Sequence, residues 1–200
     1  MKKMVLIIFY FVLIAQIGAK VEIENKLPKM SLKMLNGKPT DVSSFLEDGP
    51  ILIAFWATWC APCVKEMKYL DKFNKKYAES GLQVISINTD TPRSLSKVKS
   101  FVKSRKYSFN VLLDPKSEYI RKAGGNILPY VLLVNKDGTI FKRHMGYNPG
   151  DEITLEKEIL EMISLNSTDE DSEETVNEEK DLKSTDEKSD EKSDKESISK

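Results

Sequence analysis

Short apolar runs of strand length alternate along the chain with stretches of helical period. The run ILIAFWA at 51–57 is continuously apolar, which is typical of a central strand covered on both faces. Between 61 and 79 the apolar side chains instead recur every three or four residues, and Gly81 follows, as expected for an amphipathic helix and its stop. LQVISIN at 82–88 then reads as the next strand. This alternation predicts an α/β domain.

The rest of the pattern predicts how the sheet is completed. Asn36-Gly37 predicts a tight turn in a small hairpin that opens the domain. Further elements are expected as a helix from Thr91-Pro92 to about Lys106, a strand at 109–114, a short helix at 116–123, strands at 129–135 and 139–147, and a last helix from Pro149 to near Leu165. We therefore expect one domain over residues 20–165, with a central mixed β-sheet flanked by helices.

The first twenty residues have the layout of a secretory signal. Lys2 and Lys3 precede an almost wholly apolar stretch at 4–17, and Gly18 and Ala19 supply small residues for cleavage. The apolar run is short for a membrane-spanning helix. We expect a signal peptide at 1–19, with a retained N-terminal anchor as the alternative, and a periplasmic or otherwise extracytoplasmic location.

The other end is predicted to be a disordered acidic tail. Residues 166–200 are rich in Ser, Glu, Asp and Lys, with about fourteen acidic and six basic residues and a net charge near −8. The formal charge of zero for the full chain therefore leaves a modest positive excess of about six on the domain. That excess is too diffuse to indicate nucleic-acid binding.

The only two cysteines, Cys60 and Cys63, form one CxxC motif where a buried strand passes into a helix. A helix N-terminus stabilises a thiolate, which is the reactive form of cysteine, and one helical turn brings the second sulfur within bonding reach. Pro62 suits the first turn of that helix. Zinc would need more ligands than two cysteines and the single histidine, His144, which we expect to be a surface strand residue. The pattern indicates thiol–disulfide chemistry with no metal and no cofactor.

These residues resemble the thioredoxin superfamily. The segment FWATWCAPC, the KEM after Cys63, the extra helix after INTD and the LPY before VLLVNKDG are closest to the branch of thiol-disulfide oxidoreductases typified by TlpA and ResA, over residues 27–165. The resemblance implies a thioredoxin-like fold with an inserted helix, an exposed attacking Cys60 and a more buried resolving Cys63. It also implies a cis peptide bond before Pro129, which leaves the backbone of Leu128 free to pair with substrate. Trp59, Ala61, Pro62, Leu128 and Pro129 would line the substrate groove, although packing is the simpler expectation for Trp56 and Trp59.

The residues around the cysteines that would accept or donate protons differ from those of thioredoxin itself. Ala54 stands where thioredoxin has a buried Asp, and Lys68 stands where the family's helix often has a proline. Glu66, one turn after Cys63, matches a glutamate of the ResA-like branch. We hypothesise that Glu66 assists proton transfer, and a solvent-facing Glu66 with no such role is the alternative.

The uncharged Ala61-Pro62 pair favours a reductase, because strong oxidants stabilise their reduced form with charged groups. The resemblance implies protein disulfide substrates, for example apocytochrome c-type proteins, and a membrane thiol protein that supplies electrons. A redox-switched binding or sensor module and a disulfide-forming oxidase are the alternatives. A thiol peroxidase is disfavoured, since its nucleophile normally lies outside a WCxxC motif.

Overall fold

The computed structural model describes residues 25–166. Seven strands belong to one sheet: β1 (Ser31–Met34), β2 (Pro39–Asp41), β3 (Ile51–Trp56), β4 (Gln83–Asn88), β5 (Asn110–Leu113), β6 (Tyr130–Val134) and β7 (Ile140–Met145). The α-helices are α1 (Ala61–Lys76), α2 (Leu95–Arg105), α3 (Glu118–Lys122) and α4 (residues 151–166). Short 3-10 turns span Val42–Glu47, Ala78–Ser80 and Pro92–Ser94. The signal peptide at 1–19 and the tail beyond residue 166 lie outside the described residues.

The strands lie in the order β2-β1-β5-β4-β3-β6-β7. β3, β4 and β5 are parallel neighbours, linked by crossovers through α1 and α2, whereas β6 pairs antiparallel with β3 and β1 antiparallel with β5. The carboxyl ends of β3 and β4 therefore share one edge of the sheet with the start of β6, where Phe55 lies opposite Tyr130. Residues that follow β3 and β4, or precede β6, meet at this edge.

Alternate residues of β3 enter two separate cores, as the two-residue period of a strand requires. Leu52, Ala54 and Trp56 pack with side chains of α1, α2 and α4. Ile51, Ile53 and Phe55 pack on the other face with α3 and the first 3-10 turn. All six residues of β3 are buried, which explains why its sequence is continuously apolar.

The predicted fold class is confirmed, as are the opening hairpin at Asn36-Gly37 and the short helix after β5. The start of the inserted helix differs from the prediction. Thr91 makes no side-chain capping bond, the first turn is 3-10, and the α-helix begins at Leu95. Within residues 25–166, no helix has both the length and the apolar character to span a membrane.

Candidate active site

Cys60 and Cys63 form a disulfide at the N-terminus of α1, with their Cα atoms 5.3 Å apart. Cys60 is the N-cap residue, and the N–H of Cys63 donates to its Sγ at 3.3 Å. A helix N-terminus presents unpaired N–H groups and a partial positive charge, so this position stabilises a thiolate on Cys60 once the disulfide is reduced.

The exposure of Cys60 differs from what the resemblance implies. Cys60 is 5% exposed and Cys63 is 1% exposed, so both are buried in the disulfide form and Cys60 is only slightly the more open. The reason is that the sulfur of Cys60 points inward to its partner and to the N–H of Cys63.

Glu66 lies one turn beyond Cys63 and is 5% exposed. Its position beside Cys63 and Met67 on the buried side of α1 excludes the solvent-facing alternative. Burial, with a smaller contribution from the nearby charge of Asp151, raises the pKa of Glu66 to about 8. A carboxyl group that keeps its proton at neutral pH is thus held close to the cysteine pair.

A surface cavity of about 200 Å³ opens on the side of Glu66. The residues that line it besides Glu66 come from the end of β7 and the start of α4, and they include His144 and Asp151. His144 is half-buried, and its Nε2 lies 2.6 Å from Oε2 of Glu158. Glu66 is therefore buried from bulk solvent by α4 but borders a space shared with Asp151.

A second cavity, of about 530 Å³, has Trp59, the residue before Cys60, and Leu128 among its lining residues. Trp59 is 69% exposed, so of the expected core or rim packing only a position at the rim fits. Trp56 is buried and donates from its indole N–H to Ser86. The Leu128–Pro129 peptide bond is cis, as predicted.

The other predicted groove residues differ in accessibility. Ala61 and Pro62 are exposed at the start of α1, and Leu128 is half-buried. Pro129 is buried, and its carbonyl accepts from the N–H of Gly146 at 2.8 Å.

Within residues 25–166, no group of three or more His, Cys, Asp or Glu side chains is arranged to hold a metal ion.

The comparisons with known proteins agree with this geometry. A family model described as Redoxin matches residues 22–159. The chain belongs to the Redoxin family. The thiol-disulfide oxidoreductase ResA of Bacillus thuringiensis subsp. konkukian is 33% identical over 134 residues, which are 67% of this chain and 76% of that protein.

Solved structures of other proteins show the same architecture. A Chlorobium tepidum protein assigned as the thiol:disulfide interchange protein DsbE superposes with a TM-score of 0.64 at 28% identity, covering 69% of this chain and 95% of that one. A Bacteroides thetaiotaomicron protein assigned as a protein disulfide isomerase gives a TM-score of 0.60 at 29% identity, covering 72% and 92%. This Redoxin-family chain is a thiol-disulfide oxidoreductase with a thioredoxin-like fold.

Two acidic residues of the site were not predicted from the sequence. Asp90 binds the turn before Cys60 through Thr58, and Asp151 faces Glu66. Asp90 carried a weak signal, because an Asp two residues after a buried strand stands at the sheet edge where α/β sites form. Asp151 carried none, since its proximity to Glu66 depends on how α4 packs.

Proposed function

We propose that this Redoxin-family protein is exported and reduces disulfides in extracytoplasmic proteins by dithiol–disulfide exchange through Cys60 and Cys63. One observation carries the proposal: Cys60 caps α1, Cys63 lies in its first turn, and a buried Glu66 with a raised pKa lies on the next turn. Apocytochrome c-type proteins are the proposed example of a substrate, and a membrane thiol protein is the proposed electron donor. An N-terminal anchor at residues 1–19 would keep the enzyme at the same membrane as this donor.

The reaction begins with the reduced enzyme. The Cys60 thiolate attacks one sulfur of the substrate disulfide, forms a mixed disulfide and releases the other substrate sulfur as a thiolate. Cys63 then loses its proton and attacks Sγ of Cys60, which releases the second substrate sulfur. Two electrons have passed to the substrate, both of its sulfurs take up protons, and the enzyme returns to the observed disulfide.

The raised pKa of Glu66 suits its ionised form to accept the proton of Cys63. With a pKa of about 8, roughly a tenth of the molecules carry this carboxylate at pH 7 and about half at pH 8. A free thiol has a pKa of about 8.5, so transfer of its proton to a glutamate of pKa 4.5 would be uphill by about 5 kcal/mol. With the pKa of Glu66 at about 8, the difference falls below about 1 kcal/mol. Burial thus raises the pKa of Glu66 until its carboxylate is a base of about the same strength as a thiolate.

The two residues between the cysteines indicate in which direction the enzyme transfers electrons. Ala61 and Pro62 carry no charge, so the thiolate is stabilised mainly by the helix terminus and not by an adjacent cation. Weak stabilisation of the reduced form favours a low reduction potential, which belongs to a reductase. A disulfide-forming oxidase is the alternative and requires a high potential.

The reduction potential of the pair decides between these directions. We would equilibrate the protein with glutathione or dithiothreitol buffers and follow the Cys60–Cys63 disulfide, with Cys60→Ser as the control. A value near that of thioredoxin, around −270 mV, supports the reductase. A value near −120 mV contradicts it and indicates an oxidase. A redox-switched binding module would instead exchange slowly with generic protein disulfides.

The proton role of Glu66 has its own test. Resolution of a preformed mixed disulfide on Cys60 should slow in Glu66→Gln by about tenfold or more at pH 8, where about half of the native molecules carry the Glu66 carboxylate, because Cys63 loses its acceptor. Glu79→Gln is the matched control, since Glu79 is exposed beyond the end of α1. Equal resolution rates in Glu66→Gln and the native protein would exclude this role.

A further inference from the structure

Asp90 is a buried carboxylate two residues beyond the end of β4, and its hydrogen bonds reach the turn that carries Cys60. It is 6% exposed. The backbone N–H of Thr58 donates to its Oδ2 at 2.7 Å, and the Thr58 hydroxyl donates to its Oδ1 at 2.9 Å. The side-chain amide of Asn88 donates to Oδ2 at 2.8 Å. Burying a charged group is costly unless it is hydrogen-bonded, so these three donors fix the position of the carboxylate.

Thr58 lies in the middle of residues 57–60, which we call the cysteine turn. The N–H of Cys60 donates to the carbonyl of Ala57 at 3.1 Å and closes this turn. At the base of the turn, the N–H of Thr89 donates to the carbonyl of Trp56 at 2.9 Å. Asp90 therefore adds a side-chain link from the β4–α2 connection to a backbone N–H two residues before the reactive cysteine.

The carboxylate is itself held by its own strand. The N–H of Asp90 donates to Oδ1 of Asn88 at 3.1 Å, while Asn88 Nδ2 bonds the carboxylate, so the two residues exchange hydrogen bonds. Asn88 is 1% exposed in the ladder between β3 and β5. The link to Thr58 is thus anchored in the centre of the sheet.

We infer that Asp90 is a positioning residue for Cys60, which holds the cysteine turn so that Sγ of Cys60 stays at the N-terminus of α1. The inference rests on the proposed role of Cys60 as the attacking cysteine. In the reduced enzyme the sulfur has lost its covalent tether to Cys63, and the turn then determines where the thiolate lies. A displacement of about 1 Å takes a reacting atom out of productive geometry.

The variants Asp90→Asn and Asp90→Ala separate the effect of the hydrogen bonds of Asp90 from the effect of its charge. The Asp90→Asn amide oxygen can accept from Thr58 N–H and Asn88, and its NH₂ group can donate to the Thr58 hydroxyl, which also accepts hydrogen bonds. Asp90→Asn therefore keeps all three contacts without the charge, whereas Asp90→Ala removes them. Thr58→Val removes only the hydroxyl contact.

The matched control is Asp114, a second buried carboxylate, directly after β5. It is 2% exposed and accepts from the backbone N–H groups of Glu118, Tyr119 and Ile120 at 2.9–3.0 Å. Its three bonds go to α3 and not to the cysteine turn. Asp114→Ala should therefore cost stability without altering the thiolate of Cys60.

The experiment measures the rate constant of the reduced full-length protein with 5,5′-dithiobis(2-nitrobenzoate) and the thiol titration of Cys60 by absorbance at 240 nm. Asp90→Ala should react about tenfold or more slowly, Thr58→Val about threefold more slowly, and Asp90→Asn within about threefold of the native protein. Asp114→Ala should react within about twofold of the native rate while its melting temperature falls.

Native rates in folded Asp90→Ala would overturn the inference, as would equal slowing in Asp114→Ala. If Asp90→Ala does not fold, Thr58→Val decides alone, and a native rate there overturns the inference. Failure of the proposed function has a different signature: the native protein itself would not reduce protein disulfides, whatever the variants do.

Discussion

A Glu66→Gln substitution should make the stability of the oxidised protein less dependent on pH. In the folded chain Glu66 keeps its proton up to about pH 8, whereas an ordinary glutamate, as in the unfolded chain, releases it near 4.5. Between these values the folded state binds more protons than the unfolded state, so the free energy of unfolding falls as the pH rises. Glutamine carries no titrating proton and removes this contribution.

The size of the effect follows from the two pKa values. One extra bound proton gives a slope of up to about 1.4 kcal/mol per pH unit. Integrated between pH 5 and 9, for values of 4.5 and about 8, the native protein should lose about 4 kcal/mol relative to Glu66→Gln. Most of this loss falls below pH 8, the pH at which about half of Glu66 is ionised in the folded state.

Urea unfolding followed by circular dichroism at each pH measures the difference directly. The oxidised form is the right one to use, because the disulfide keeps both cysteines from titrating. Subtracting the curves of the two proteins cancels every other group that titrates equally in both. The control Glu79→Gln replaces an exposed glutamate, and its free energy of unfolding should change with pH as that of the native protein does. A native-minus-Gln difference that changes by less than about 1 kcal/mol over this range would refute a buried, proton-holding Glu66.

Three further predictions follow, two for the surroundings of the site and one for the far end of β3. Asp151→Asn should lower the pKa of Glu66, because a nearby negative charge is removed, and should move the midpoint of its titration to lower pH. An unmoved midpoint would show that burial alone acts on Glu66. Trp59→Ala should change the free energy of unfolding by less than about 0.5 kcal/mol, since the side chain is 69% exposed, yet lower kcat/KM for protein disulfides. An unchanged kcat/KM would remove Trp59 from the groove. Gly49→Ala should destabilise the fold by more than about 1 kcal/mol in thermal melts, because φ is +149° and the new Cβ would lie 2.5 Å from the carbonyl oxygen of Gly81.

The elements that could be predicted from the sequence are those whose signal is local. β3 is continuously apolar because both of its faces are buried, and α1 shows its apolar side every three or four residues because one face packs on the sheet. The CxxC spacing predicts thiol–disulfide chemistry, because it places both cysteines within one helical turn. Sequence pattern therefore identified the fold class and the reactive pair together.

The contacts that could not be predicted join residues far apart in sequence. Asp90 meets Thr58 only because β3 and β4 are parallel neighbours that end at one edge. The exposure of Trp59 depends on the path of the cysteine turn, and aromatic character alone suggested packing. Asp151 is 85 positions from Glu66, and no periodicity connects them.

The burial of Glu66 depends on α4 as well as on α1. α1 carries Glu66 toward the core, but Asp151, Thr154 and Leu155 of α4 line the cavity on its other side. α4 is held against the end of α1 by Glu156, which accepts from Lys76 and from the Tyr77 hydroxyl at 2.8 Å. Burial is the main cause of the raised pKa of Glu66. The packing of α4, the last helix in the chain, therefore sets the basicity of the Glu66 carboxyl group on α1. The sheet edge at the end of β3 thus positions the two cysteines, and the packing of α4 determines whether a proton acceptor with a pKa close to that of a thiol lies beside them.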